Sequence, residues 1–156
     1  YKIYNYLKKI NNLFFYIIIG PGFKKNNPIL NIKDKNVFFV KNKTDLKPYY
    51  QKVDLSITGG GISMFESIQN KKLTLVTELF KNQKYSIKKL NKLNMISIIG
   101  KNRTIYEKKL VKIVKNIIKS KKKNNIKYSK NFKLIDGKSI LRIEKIIFKV
   151  ISRSIN

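Results

Sequence analysis

Asp54-Leu-Ser-Ile-Thr-Gly59-Gly60-Gly61-Ile-Ser63-Met-Phe-Glu66 is the stretch on which the reading of this chain turns. A short run with β-branched residues ends in three glycines. A helix-compatible stretch follows, with Ser63 and then Glu66 in its first two turns. The pattern predicts a strand, a tight glycine turn and a helix start. Such a turn leaves backbone N–H groups free of side-chain cover, and the helix N-terminus adds positive potential at the same place. A phosphate or diphosphate suits that position. The plainer use of the same glycines is a turn that needs positive φ and binds nothing. Both readings stand at this point.

Outward from this block, apolar runs alternate with amphipathic ones. Leu13–Ile19 reads as a strand buried on both faces, stopped by Gly20-Pro21-Gly22. Residues 25–33 read as an irregular or helical crossover, Asn36–Val40 as a second buried strand, Thr44–Tyr50 as a short helix and Asp54–Thr58 as the third strand. Then come a helix over Ile62–Gln69, a strand over Leu73–Thr77, a loop over Glu78–Lys81, a helix over Asn82–Leu93, a strand over Met95–Ile99 closed by Gly100, and a long amphipathic helix over Thr104–Lys119. This alternation specifies an α/β fold, a parallel sheet with helices on both faces. Ligands bind such sheets at the carboxyl ends of the strands. Gly20–Gly22, Gly59–Gly61, Glu78–Gln83 and Gly100 are therefore expected to share one edge. Residues 1–12 read as a helix or the end of a preceding element, 13–120 as the α/β domain, 121–137 as a loop and 138–156 as a C-terminal helix. In that helix Ile140, Ile143, Ile147 and Val150 recur at helical spacing.

Composition excludes several chemistries. The 156 residues include no Cys and no His, and Asp and Glu together number 8. Disulfides, thiolate metal sites and the commonest general base are thus absent, and no carboxylate cluster suggests a metal. The net charge of +28 invites a polyanion partner. Lys, Asn and Ile are abundant together, however, and A/T-rich codons encode all three, so base composition accounts for much of the excess. The run Lys119-Ser-Lys121-Lys122-Lys123 falls where a helix should end and reads as a solvated loop. The longest apolar run, Leu13–Ile19, is far shorter than the ~20 residues of a spanning helix. The chain starts at Tyr1 and not at Met, which reads as an excerpt of a longer protein.

Three pieces of sequence taken together resemble a known family: Asp54–Glu66, Leu73-Thr-Leu-Val-Thr77 and Asn82-Gln83. They are similar to the C-terminal half of two-domain GT-B nucleotide-sugar enzymes, among them the lipid-II-forming N-acetylglucosaminyltransferases. The chain resembles more closely the UDP-sugar hydrolases of pseudaminic acid synthesis and related glycosyltransferases. Those hydrolases act on UDP-2,4-diacetamido-2,4,6-trideoxy-beta-L-altropyranose. Asp136-Gly137-Lys138 and Arg142-Ile143 match the Asp-Gly-Lys…Arg-Ile end of that family. The resemblance implies a Rossmann-like domain in which Gly59, Gly60, Gly61 and Ser63 hold a diphosphate and Glu66 accepts from both ribose hydroxyls. Asn82 and Gln83 would face the sugar. Gly20 and Gly22 would lie beside the phosphates, and the loop after Val40 would cover the uracil, mostly by main-chain contacts. It implies no cofactor, no metal and no catalytic residue in this half. The family's catalytic His belongs to an N-terminal domain that this chain lacks, and the C-terminal helix would pack back toward that domain.

Simpler uses of the same residues remain open. Glu66 can be a solvent-facing helix residue, Asn82 a helix cap, Ser63 a cap and Asp136-Gly137 a turn. The expected partners are a UDP-sugar and either an N-terminal domain or a separate acceptor-binding subunit, with no nucleic acid and a weak anionic membrane-surface contact. The expected location is cytoplasmic and peripheral at the inner membrane face. Two alternatives accompany this reading. One is the donor-binding subunit of a split UDP-N-acetylglucosamine glycosyltransferase, and the other is a basic nucleic-acid-binding module.

Overall fold

The computed structural model describes residues 1–24, 26–122 and 134–154. The chain is an α/β protein. Helix α1 (Lys2–Leu7) leads into β1 (Phe15–Ile19), a 3-10 turn over Pro28–Asn31, β2 (Val37–Lys41) and α2 (Lys47–Lys52). Then follow β3 (Leu55–Gly59), α3 (Ile62–Gln69), β4 (Leu73–Thr77), a 3-10 turn over Lys81–Gln83 and α4 (Lys84–Lys92). β5 (Ser97–Lys101), β6 (Thr104–Ile105), α5 (Glu107–Lys122) and α6 (Ser139–Ser154) complete the order. Helix α5 runs through Lys122, so the basic run expected as a loop is helical that far, and residues 123–133 of the loop expected over 121–137 lie outside the described residues.

Instead of the expected single parallel sheet, the described strands form two. β1 and β2 pair in parallel as one, and β3-β4-β5-β6 form the other. The second is parallel across β3, β4 and β5, but β6 runs antiparallel to β5. Thr104 and Ile105 therefore belong to a hairpin and not to the start of the long helix. Asn102 and Arg103 join its strands with φ of 50° and 63°. Positive φ at both central residues is the requirement of a two-residue turn that follows the sheet's twist.

Alternation across the four-stranded sheet builds two core layers. On one side Val76 packs with Met64 and Ile68 of α3 and Ile87 and Leu90 of α4. On the other, Leu75 and Ile99 pack with Leu110 and Val114 of α5 and Leu7 of α1. Phe15 of β1 and Leu55 and Ile57 of β3 join this second cluster, so both sheets rest on the same core. Residues 2–7 are accordingly part of the packed body, with Leu7 only 3% exposed.

The strand expected over Leu13–Ile19 is not buried on both faces. Ile18 and Phe38 are exposed, and Tyr16 stacks on Phe38 with ring centroids 5.2 Å apart. The crossover from β1 to β2 contains a single 3-10 turn, and the next connection holds only the six-residue α2. Among the described residues, neither connection supplies a helix longer than six residues to lie over that face. Other expected limits moved by a few residues. Met95 and Ile96 precede β5 as core residues, and α4 starts at Lys84 because Asn82 and Gln83 are taken up by the 3-10 turn. Among the described residues no helix is long and apolar enough to cross a membrane.

Candidate functional site

Parallel pairing aligns the ends of β3, β4 and β5. Gly59 pairs with Thr77, and Thr77 with Gly100, so three carboxyl ends form one edge. The glycine turn and the N-terminus of α3 open on this edge. Gly20-Pro21-Gly22 follows the end of β1, which pairs with β2 at Ile19 and Lys41.

The glycines are there for closeness and not for positive φ. Gly137 is the only glycine described with φ in the left-handed region. A Cβ on Gly59 would lie 2.7 Å from Leu79 Cδ1. One on Gly60 would lie 2.8 Å from Ile87 Cγ1 and 3.0 Å from Gln83 Cβ. The β4–α4 connection thus folds down over the turn, and only bare backbone fits beneath it. Gly61 is exposed and caps α3 in an extended conformation, with the Gln83 amide nitrogen 3.8 Å from where its Cβ would stand. Gly20 and Gly22 differ, because nothing lies within 4 Å of a Cβ at either position.

Gln83 reaches the turn because its own loop holds it. Its Oε1 accepts from the backbone N–H of Leu79 at 3.1 Å and of Phe80 at 3.4 Å. That leaves Nε2, a two-proton donor, facing Gly61 beside the N-terminus of α3. Asn82 caps nothing and is exposed within the 3-10 turn. Ser63 is exposed in the first turn of α3 and makes no capping bond. Val40 is buried, so any ligand contact there falls to the backbone that follows it.

Glu66 is half-buried one turn into α3. Tyr50 of α2 stands against it. Burial, followed by the charge of Glu66 and a hydrogen bond to it, pushes the Tyr50 hydroxyl up to about 12. The same hydroxyl lies 3.3 Å from the Ser63 carbonyl oxygen. Tyr50 was not marked by the sequence, since nothing local ties α2 to α3. Arg103 was also missed. Its backbone N–H donates to the Glu78 carbonyl, and its guanidinium lies 5.6 Å from the centroid of Phe80. It adds a cation beside the β4–α4 loop. Glu78, placed in a loop by the sequence, is buried at the end of β4.

Asp136-Gly137 is a turn, with Gly137 at φ +74°. Asp136 accepts from the Lys138 N–H at 3.0 Å and pairs through both oxygens with Arg142, whose hydrogen bonds hold its carboxyl down at about 2. Among the described residues no group of three His, Cys, Asp or Glu is placed to hold a metal ion.

The edge at Gly59–Gly61 is an open shelf of backbone donors, one amide donor and one carboxylate about a turn away. That arrangement offers hydrogen bonds to an anion at one end and to hydroxyl groups at the other. No protein-family model, no curated protein and no solved structure matches the chain.

Proposed function

We propose that this chain is the UDP-sugar-binding half of a GT-B-type enzyme, a hydrolase or glycosyltransferase acting on a nucleotide-activated amino sugar in surface-glycan synthesis. The observation that carries this reading is the meeting of Gly61, the α3 N-terminus and the Gln83 amide on one sheet edge. A diphosphate there receives backbone N–H groups, the helix dipole and a side-chain donor. Glu66 lies a turn further along α3, where a carboxylate suits paired ribose hydroxyls. The finer Rossmann-like reading of the fold belongs to the same proposal and is supported by the parallel β3-α3-β4-α4-β5 succession.

In this half the protein's work is electrostatic. It holds the leaving diphosphate and stabilises the charge that grows on it as the anomeric bond breaks. A second domain or subunit supplies the acceptor side. Calorimetry at moderate salt tests the reading with UDP, UDP-N-acetylglucosamine and inorganic diphosphate. UDP should bind more tightly than diphosphate. Equal affinities would remove any role for Glu66 and the loop after Val40, and a steep salt dependence common to all three would leave only the net charge as the cause.

A further inference from the structure

Helix α6 leaves the body of the protein. Ile135 still packs on the α3–α4 core, and a Cβ on Gly137 would press into Gln69 of α3. Beyond that turn, from Ile140 to Phe148, the six large apolar side chains are 51–77% exposed. With 3.6 residues per turn, Ile140, Ile143 and Ile147 form one stripe, Leu141 and Phe148 widen it on one side and Ile146 on the other. Apolar groups therefore wrap more than half of the circumference. The remaining arc carries Lys145, Lys149 and Arg142, the last paired with Asp136, while Glu144, the single carboxylate in the helix, interrupts the apolar face between Ile140 and Phe148.

An apolar patch of this extent requires a cover. Charge decides among the candidates. A second copy would bring two chains of +28 together through helices whose polar arcs are both cationic. A protein groove would cover the apolar stripe but has no need for a polar arc of one sign. An anionic lipid surface uses both features, with apolar side chains in the acyl boundary and lysines reaching the headgroups.

We propose that α6 is an interfacial helix that lies in the plane of an anionic lipid surface and holds the α/β body against it. It does not span, since its 16 residues cover about 24 Å. The inference stands on the exposed face of α6 and uses none of the residues proposed to touch the nucleotide, although Arg142 and Ile143 of this helix carry part of the resemblance, which would instead turn the helix toward a second domain.

The protein contains no Trp, so Phe148→Trp gives a lone tryptophan on the apolar face, excited apart from the nine tyrosines. The 156-residue chain carrying it is mixed with vesicles of phosphatidylglycerol and phosphatidylcholine, and separately with phosphatidylcholine alone. The expected result is a blue shift and co-sedimentation with the anionic vesicles only. Ile143→Ser combined with Ile147→Ser, which leaves the charge unchanged, should lower the bound fraction roughly ten-fold, as expected when apolar burial contributes to anchoring. The melting of the α/β body should stay where it was. Four results overturn the proposal: emission already blue without lipid, a blue shift that grows with protein concentration, a lowered melting point in the serine pair, and vesicle binding that the serine pair leaves unchanged. The first and third assign α6 to a protein cover, the second to a second copy, and the last to net charge.

Discussion

The Tyr50 hydroxyl lies 3.3 Å from the carbonyl oxygen of Ser63, and this contact ties α2 to the first turn of α3. The hydroxyl has one proton to give and two acceptors within reach, because Glu66 also bonds to it. A neutral Tyr50 is therefore favoured in the fold. Its pKa of about 12 lies above the ~10 of an unfolded chain. The resulting stability is fully present below about pH 10 and is lost as the pH rises toward 12. Ultraviolet titration of the wild type minus Tyr50→Phe should isolate one tyrosine with a midpoint near 12. A difference curve centred near 10 would mean that the contact does not persist in solution.

Glu66→Ala should weaken UDP binding by about 1.5–3 kcal/mol, the scale of losing hydrogen bonds to a charged group. Diphosphate binding should change little, since the carboxylate sits a turn away from the glycines. Calorimetry with both ligands checks this. An equal loss for the two would place Glu66 in the support of α3 and not at the ribose.

Gly60 and Gly20 should respond in opposite ways to the same change. Gly60→Ala drives a methyl group into Ile87 and Gln83, and overpacking of this kind costs about 1–3 kcal/mol. Gly20→Ala meets nothing within 4 Å at an ordinary φ and should be neutral or slightly stabilising. Chemical denaturation of the two variants measures the contrast. A Gly60→Ala protein as stable as the wild type would mean that the β4–α4 loop is not seated on the turn.

The α/β class, and the limits of α3 and β4, were legible because hydrophobic period and glycine punctuation are local signals. Ile62–Gln69 and Leu73–Thr77 stand where the sequence places them. The split into two sheets was not legible, because which strand a strand pairs with is a non-local choice. The hairpin at Asn102-Arg103 was hidden for a different reason. Its turn uses positive φ at residues other than glycine, so the usual marker is missing. At the candidate site the glycine block itself was legible, but the reason for it was not. Leu79, Ile87 and Gln83, which exclude a Cβ there, all lie beyond the next strand. Tyr50 was invisible for the same reason, since only tertiary packing brings α2 to Glu66.

If the chain is the donor-binding half proposed above, with no His of its own and the acceptor side supplied by a second domain or subunit, it should show no turnover alone. General acid–base help typically contributes 10²–10⁴-fold, or about 3–5 kcal/mol of barrier. Incubation with several UDP-sugars, followed by UDP release, checks this. Sustained release by the isolated chain would place the chemistry in this half.

Asp136 should control how α6 begins. It bonds to the Lys138 N–H and to Arg142, and those contacts hold its carboxyl at about 2. The unfolded value is near 3.9. A depressed carboxylate contributes stability above its unfolded pKa and loses that contribution as the pH falls through its folded one. The first turn of α6 should therefore stay ordered at pH 4 and fray as the pH drops toward 2. Asp136→Asn keeps the side-chain shape and one acceptor but removes the charge that pairs with Arg142, so it should weaken the turn even at neutral pH. Amide shifts of Lys138 and Arg142, followed across pH by NMR, provide the measurement. Titration of the Lys138 amide near 3.9 in the wild type would show that the Asp136–Arg142 pair is not formed in solution.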